Sequence, residues 1–254
     1  MDALLGSGSY GIVAQVSKKG QYYAMKVYSD QYLEKKGYAA GMAGRLFQRE
    51  VEILQSINFP AIPGYVDSFE CDNLYCLVQD FLPGNTLAAL INQGQQFGES
   101  EVKQVLFELL EILNYLHKPG KKKPVILHRD LRLSNIIIND GQLFLIDFGL
   151  ACRLPNNADI EFLTACSLRR TAYGSSSIAY LEKRNDFSMQ SDLFGAGVVA
   201  VDLFTNAISS EASVAWEQHI PVSPGLKAFI RRLLAVDDSF VSCNEAIVHL
   251  KRLN

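Results

Sequence analysis

Asp130, Asn135 and Asp147 have the residue types and spacing that phosphoryl transfer needs. Asp130 and Asn135 lie five residues apart in His128-Arg129-Asp130-Leu131-Arg132-Leu133-Ser134-Asn135, and Asp147 opens Asp147-Phe148-Gly149 after an Ile-rich run. Asn135 and Asp147 can hold two hard cations against a triphosphate while Asp130 faces an incoming hydroxyl. Such chemistry also needs a glycine turn over the phosphates, a lysine on a strand soon after it, and a glutamate on a following helix. The chain carries all three, in that order.

The glycines are Gly6, Gly8 and Gly11, in Leu5-Gly6-Ser7-Gly8-Ser9-Tyr10-Gly11-Ile12-Val13. Alone they are a weak signal, because a dinucleotide-binding turn has the same spacing. There a helix must follow, whereas here Ile12 to Val16, Lys18-Lys19-Gly20 and Tyr22 to Tyr28 read as strand, turn and strand. The glycines are therefore the tip of a hairpin whose amides can lie close over phosphates. Lys26 alternates with apolar neighbours on the second strand and, taken alone, would be an ordinary exposed lysine; the glycine turn upstream reverses that judgement.

A lysine in a partly buried site needs an anionic partner. Arg45 to Leu54 is amphipathic at helical spacing, with Leu46, Phe47, Val51, Ile53 and Leu54 for the inner face. Glu50 is the inward carboxylate on this pattern and Glu52 the solvated one. Residues up to about 80 read as strands with this one helix inserted, Pro83-Gly84-Asn85 punctuates, and most of the remainder is helical. That is an α+β lobe joined to a mainly α lobe. Glu99 to His117 predicts a core helix through Val102, Val105, Leu106, Leu109, Leu110, Leu113 and Leu116, with Ser100 and Glu101 as its cap. Lys118 to Pro124, basic and bracketed by Pro and Gly, reads as a solvated loop rather than a docking patch for an acidic partner.

In this order the parts resemble the eukaryotic-like protein kinases over nearly the whole chain. The match runs from the glycine turn through Ala24-Met25-Lys26, Glu50, Leu77-Val78-Gln79-Asp80-Phe81, the Asp130 loop and Asp147-Phe148-Gly149 to Ser191-Asp192-Leu193-Phe194-Gly195-Ala196-Gly197. Pro124 to Asp130 and Leu145 to Gly149 look most like the bacterial serine/threonine members. The resemblance implies a single catalytic domain over 1–254 with the bilobal protein-kinase fold. Its parts would be a small, mainly β N-lobe with one helix (about 1–80), a hinge (about 80–84) and a larger, mainly α C-lobe (about 85–254).

It also implies ATP and Mg2+, with Asp130 accepting or orienting the proton of a protein hydroxyl and Asn135 and Asp147 holding magnesium. Lys26, oriented by Glu50, would clamp the alpha and beta phosphates under Leu5, Gly6, Ser7, Gly8, Ser9, Tyr10 and Gly11, and Arg132 would neutralise transferred charge. Val13, Ala24 and Ile137 would sandwich adenine, the backbone of Asp80 and Leu82 would bond its edge, and Gln79 would guard the back pocket. Gly174-Ser175 aligns with the Gly-Thr of serine/threonine kinases and favours a Ser/Thr acceptor. Arg132 stands where most of those enzymes carry lysine and some tyrosine kinases carry arginine, a planar fork in place of a point charge. Arg129 either captures a phosphate on the segment from Asp147 to Glu182, with Thr171 the candidate autophosphorylation site, or bonds local backbone.

The pattern departs from the family at Tyr180-Leu181-Glu182, which stands for Ala-Pro-Glu, and Glu182 would need Arg231 or Arg232 as its buried partner. Thr205 to Pro224 is short for the family. Two rivals follow, a nucleotide-binding pseudokinase and a small-molecule kinase acting on an alcohol. The intact Lys26, Glu50, Asp130, Asn135 and Asp147 weigh against the first, and the long segment before Glu182 weighs against the second.

Composition sets the remaining bounds. At 254 residues the chain suits one catalytic unit of two lobes. Hydrophobic residues make up 48% of it, enough for a sizeable core, and its net charge of -3 leaves no nucleic-acid footprint. Apolar stretches such as Ala196 to Phe204 are too short to cross a bilayer, and Met1-Asp2 opens onto the first strand without a leader pattern. The odd set Cys71, Cys76, Cys152, Cys166 and Cys243 fits reduced thiols in the cytoplasm better than a disulfide framework, and Cys71 and Cys76 lack the second pair a metal site would need.

Overall fold

A computed structural model describes residues 3–8, 10–121, 123–170, 182–183, 186–205, 216–220 and 222–253, with side chains except at 165–170 and 219. Contacts divide the chain into two compact units, Met1–Pro83 with Ile146–Gly149, and Gly84–Leu145 with Leu150–Asn254.

Alternating β-branched and aromatic residues build the first unit's sheet from β1 (Ala3–Ser7), β2 (Ile12–Lys18), β3 (Gln21–Tyr28), β4 (Tyr65–Cys71) and β5 (Leu74–Asp80). The strands pair antiparallel in the order β1-β2-β3-β5-β4. Val13 stands opposite Lys26, Lys26 opposite Leu77, and Ala24 opposite Gln79. Because side chains alternate along a strand, these five share one face of the sheet. Helix α2 (Met42–Ser56) buries the expected Leu46, Phe47, Val51, Ile53 and Leu54 together with Glu50. A short helix, α1 (Asp30–Lys35), precedes it and was not expected, since six residues are too few to display a period. Ser29 caps α1 by accepting from the Tyr32 amide, and Leu33 is fully buried beneath it.

The second unit is mainly helical. It contains β6 (Asn85–Thr86), α3 (Leu87–Asn92), α4 (Glu99–His117), β7 (Val125–Leu127), β8 (Ile136–Asn139), β9 (Gln142–Leu145), β10 (Cys152–Leu154) and α5 (Asn157–Arg170). These are followed by α6 (Met189–Thr205), α7 (Trp216–His219), α8 (Pro224–Leu233) and α9 (Cys243–Lys251). Helix α4 buries all seven expected residues and packs on α9, α6 and β7. Helix α6 is buried on every side from Ser191 to Ala200, as a helix without a polar face must be.

Three expectations are corrected here. The cap of α4 is built at Gly98, whose amide donates to Glu101 Oε2 at 2.8 Å, and not at Ser100. The basic connector is not solvated throughout: Lys121 is exposed, but Lys123 is buried and its Nζ donates to the carbonyls of Leu116, Lys118 and Pro124. That ammonium satisfies acceptors at the end of α4, although burial pushes its pKa down to about 8. Glu182 is exposed, so no buried carboxylate there lacks an arginine. Arg231 instead pairs with Asp237 and Glu217, and Arg232 with Glu245.

Candidate active site

In the first unit, period two along β3 turns Ala24, Lys26 and Tyr28 to the same side, where all three are buried. Lys26 Nζ lies 2.8 Å from Glu50 Oε2 on α2 and 2.6 Å from Asp147 Oδ1. Lys26 is 6% exposed and Glu50 1%, whereas the Asp147 carboxylate is 41% exposed. Burial alone would lower the pKa of Lys26, but the charges of Asp147 and Glu50 outweigh it and hold the ammonium well above its usual value. Tyr28 donates its hydroxyl to Glu50 Oε2, and burial beside that carboxylate pushes the phenol pKa well up. The sequence reading missed Tyr28, although its place two residues after Lys26 puts it on the same face.

Asp147 adopts φ +67°, and its Oδ1 also receives the Gly149 amide at 3.3 Å. A Cβ at Gly149 would lie 3.0 Å from Lys26 Nζ and 3.1 Å from Glu50 Oε2, so a side chain there would push into the ion cluster. The glycine turn is closed by the Gly8 amide on the Gly11 carbonyl at 2.9 Å. Gly11 is required by packing, because a Cβ would meet the Val27 carbonyl at 2.5 Å. A Cβ at Gly6 would meet nothing and one at Gly8 only Gly11 O at 3.9 Å. At these two positions packing does not demand glycine, and the absent side chains leave the space beside the backbone open. Val13 and Gln79 are half-buried on the Lys26 face and Ala24 is buried there; Leu5 and Asp80 are exposed, and Leu82 is half-buried. Ser9 lies outside the described residues.

In the second unit the Asp130 loop is fixed through its main chain. Asp192, fully buried in the first turn of α6, accepts the amides of His128 at 2.8 Å and Arg129 at 2.7 Å, and bonds His117 Nε2 at 2.8 Å. Burial alone would raise Asp192, but the His117 hydrogen bond and charge, the His128 charge and the Arg129 amide hold it below its usual range. The His117 contact joins residues 75 apart, and no sequence pattern announces it. Cys243 Sγ lies 3.4 Å from His117 Nδ1, but burial drives that thiol strongly toward the protonated form, so this Cys-His-Asp line carries no nucleophile.

Asn135 Nδ2 donates to the Asp130 carbonyl at 2.9 Å and to Asp130 Oδ2 at 3.1 Å, while Arg132 Nε and Nη2 lie 3.1 and 2.5 Å from Asp130 Oδ1. With its nitrogen directed to Asp130, Asn135 presents its amide oxygen as an acceptor. An amide oxygen and a carboxylate oxygen are each the kind of hard donor that magnesium takes. Arg129 Nη1 donates to the Leu150 carbonyl, 21 residues further along the chain, at 3.4 Å, and its guanidinium stacks on the Phe187 ring at 3.9 Å. Ile137 is half-buried in β8. Thr171, Gly174 and Ser175 lie outside the described residues.

The protein kinase domain family matches residues 1–249. Serine/threonine-protein kinase B of Synechocystis sp. is 30% identical over 207 residues, which cover 76% of this chain and 35% of that protein. The probable serine/threonine-protein kinase YbdM of Bacillus subtilis is 43% identical over 109 residues, 42% of this chain and 41% of that protein. The match thus covers about a third to two fifths of the length of these curated relatives. The crystal structure of the Mycobacterium tuberculosis PknI kinase domain matches with a TM-score of 0.70 at 23% identity, over 99% of this chain and 94% of that one, a likeness of fold. With a family match that runs across nearly its whole length, the chain belongs to the protein kinase domain family.

Proposed function

We propose that the chain is one catalytic unit, an ATP- and magnesium-dependent kinase that phosphorylates Ser or Thr hydroxyls of proteins. The observation that carries this reading is Lys26 Nζ held between Glu50 and Asp147, a buried cation kept charged and aimed. Lys26 binds the alpha and beta phosphates, and Gly6 and Gly8 let the backbone approach them. Asp130, oriented by Asn135 and Arg132, takes the acceptor hydroxyl's proton as a bond forms to the gamma phosphorus and the bond to the ADP oxygen breaks. Asn135 and Asp147 are the residues that would hold magnesium, whose charge would offset that of the phosphate oxygens. Val13, Ala24 and Ile137 are the apolar contacts for adenine, the Asp80 and Leu82 backbone its hydrogen-bonding edge, and Gln79 its rear neighbour.

Ser/Thr specificity is supported by the names of the relatives and by Gly174-Ser175 in the sequence. A cytoplasmic setting is supported by the free thiols of Cys71, Cys76, Cys152 and Cys243. Among the described residues no helix is long and apolar enough to cross a membrane. Thr171 is proposed as an autophosphorylation site, which intact-protein mass spectrometry after Mg-ATP treatment tests; an unmodified Thr171 in fully active protein removes it.

The central test is incubation of the chain with labelled Mg-ATP and a generic basic protein, followed by phosphoamino-acid analysis. Labelled Ser and Thr, abolished in Asp130→Ala and Asp147→Ala, is the expected result. Tight ATP binding without transfer would assign a pseudokinase, and transfer only to a small alcohol would assign a small-molecule kinase.

A further inference from the structure

The glycine turn is held from one side by the unexpected helix α1. The Gly8 carbonyl accepts from Tyr32 Oη at 2.7 Å and from Lys36 Nζ at 2.8 Å. Tyr32 and Lys36 are four residues apart, which places them on one face of α1 and its C-cap. The Lys36 ammonium also lies 4.5 Å from the centre of the Tyr32 ring, so the two donors steady each other. Just past α1, Tyr38 packs on Tyr10 of the turn with ring centres 5.6 Å apart.

This support is itself anchored. Leu33 buries the inner face of α1, and Asp30 Oδ1 accepts the Ala43 amide at 2.9 Å at the start of α2. Helix α2 carries Glu50, the partner of Lys26. The chain of contacts therefore runs from the glycine turn through α1 to the helix that orients the buried lysine.

We propose that Tyr32 and Lys36 are positioning residues that set the glycine turn for the polyphosphate chain of a nucleoside triphosphate, an inference that rests on the phosphotransfer reading above. Glycines give a turn the freedom to approach phosphates, and the same freedom lets it wander when no side chain restrains it. Two donors occupy both lone pairs of the Gly8 carbonyl. Lys36 adds positive charge beside the turn, which lowers the cost of bringing phosphates there.

The experiment is calorimetric titration of Mg-ATP and, separately, adenosine into the wild-type chain and the variants Tyr32→Phe, Lys36→Met and Lys36→Arg, with KM and kcat for ATP measured alongside. Tyr32→Phe removes one oxygen and keeps the ring, so it isolates the hydrogen bond from packing. Loss of one such bond predicts Mg-ATP affinity weakened by about 3- to 10-fold in Tyr32→Phe and Lys36→Met. Adenosine affinity stays as in wild type, KM rises while kcat changes by less than about twofold, and Lys36→Arg recovers most of the affinity. Unchanged Mg-ATP affinity in both variants overturns the proposal, as does an equal loss for adenosine, which would mark a general disturbance of the fold. A wild-type chain that binds no Mg-ATP overturns the phosphotransfer reading itself, a failure seen before any variant is made.

Discussion

Lys26 in the first unit is held by charge, whereas the Asp130 loop in the second is held through its main chain. Around Lys26, one ammonium faces two carboxylates, whose charges keep it protonated despite its burial. Around Asp130, a single buried carboxylate, Asp192, receives two successive backbone amides and a histidine. Arg129 sits at φ +62° in that loop, a left-handed conformation that costs a residue with a Cβ roughly 1–2 kcal/mol. The amide bonds to Asp192 offset that cost and keep Asp130 on a fixed frame. The charge cluster, with Asp147 half-open to solvent, can adjust around a ligand; the loop geometry cannot change without exposing a buried acceptor.

The largest effect should therefore follow a break in the second region. Asp192→Ala leaves the His128 and Arg129 amides without their acceptor, and we expect a loss of about 3–5 kcal/mol in urea unfolding. A loss under about 1 kcal/mol would dissolve the contrast. Its partners hold the Asp192 carboxyl below the ordinary aspartate range in the folded chain, so its contribution is present above the unfolded value of about 3.9 and fades as pH falls through the folded value. Asp192→Asn should consequently show a flatter acid limb than wild type when the urea midpoint is followed downward from pH 5.

Lys26→Met tests the first region. Phosphate transfer should fall by roughly 10²–10³-fold, about 3–4 kcal/mol in the barrier. Its stability should change less than that of Asp192→Ala, because Asp147 can turn to water and the Tyr28 hydroxyl still donates to the buried Glu50 carboxylate; a larger change in urea unfolding would reverse the comparison. Tyr28→Phe removes a donor from Glu50 and should lower stability by about 1.5–3 kcal/mol, the range for hydrogen bonds to charged groups. Transfer that drops with no loss of stability would instead give Tyr28 a role at the reacting phosphates. Smallest is Glu101→Ala, which removes the side-chain half of the α4 cap and should cost about 1 kcal/mol in thermal unfolding with transfer unaffected.

Much of the architecture was legible because periodicity reports burial directly. The inner face of α2 and the seven core positions of α4 follow from a repeat of 3.6 residues, and the strands on either side of the Lys18 to Gly20 turn, with Lys26 alternating among apolar neighbours, from a repeat of 2. Glu50 was separable from Glu52 for the same reason: Glu50 is buried on Lys26, while Glu52 accepts from Gln48 in the exposed i, i+4 position. Helix α1 escaped notice because it is shorter than two turns. Lys123 was misjudged because its neighbours are polar, and only the fold brings three carbonyls to its ammonium.

By itself, the sequence determined which chemical groups are available and in what order, since residue type sets charge, donor number and ligand hardness regardless of context. Tertiary structure alone decided which of those groups meet. Residues 24 and 121 positions apart converge on Lys26, and Asp192 reaches amides more than 60 positions away. The physical reason is that a buried charge needs a partner at hydrogen-bond distance, and only packing can deliver one from so far along the chain.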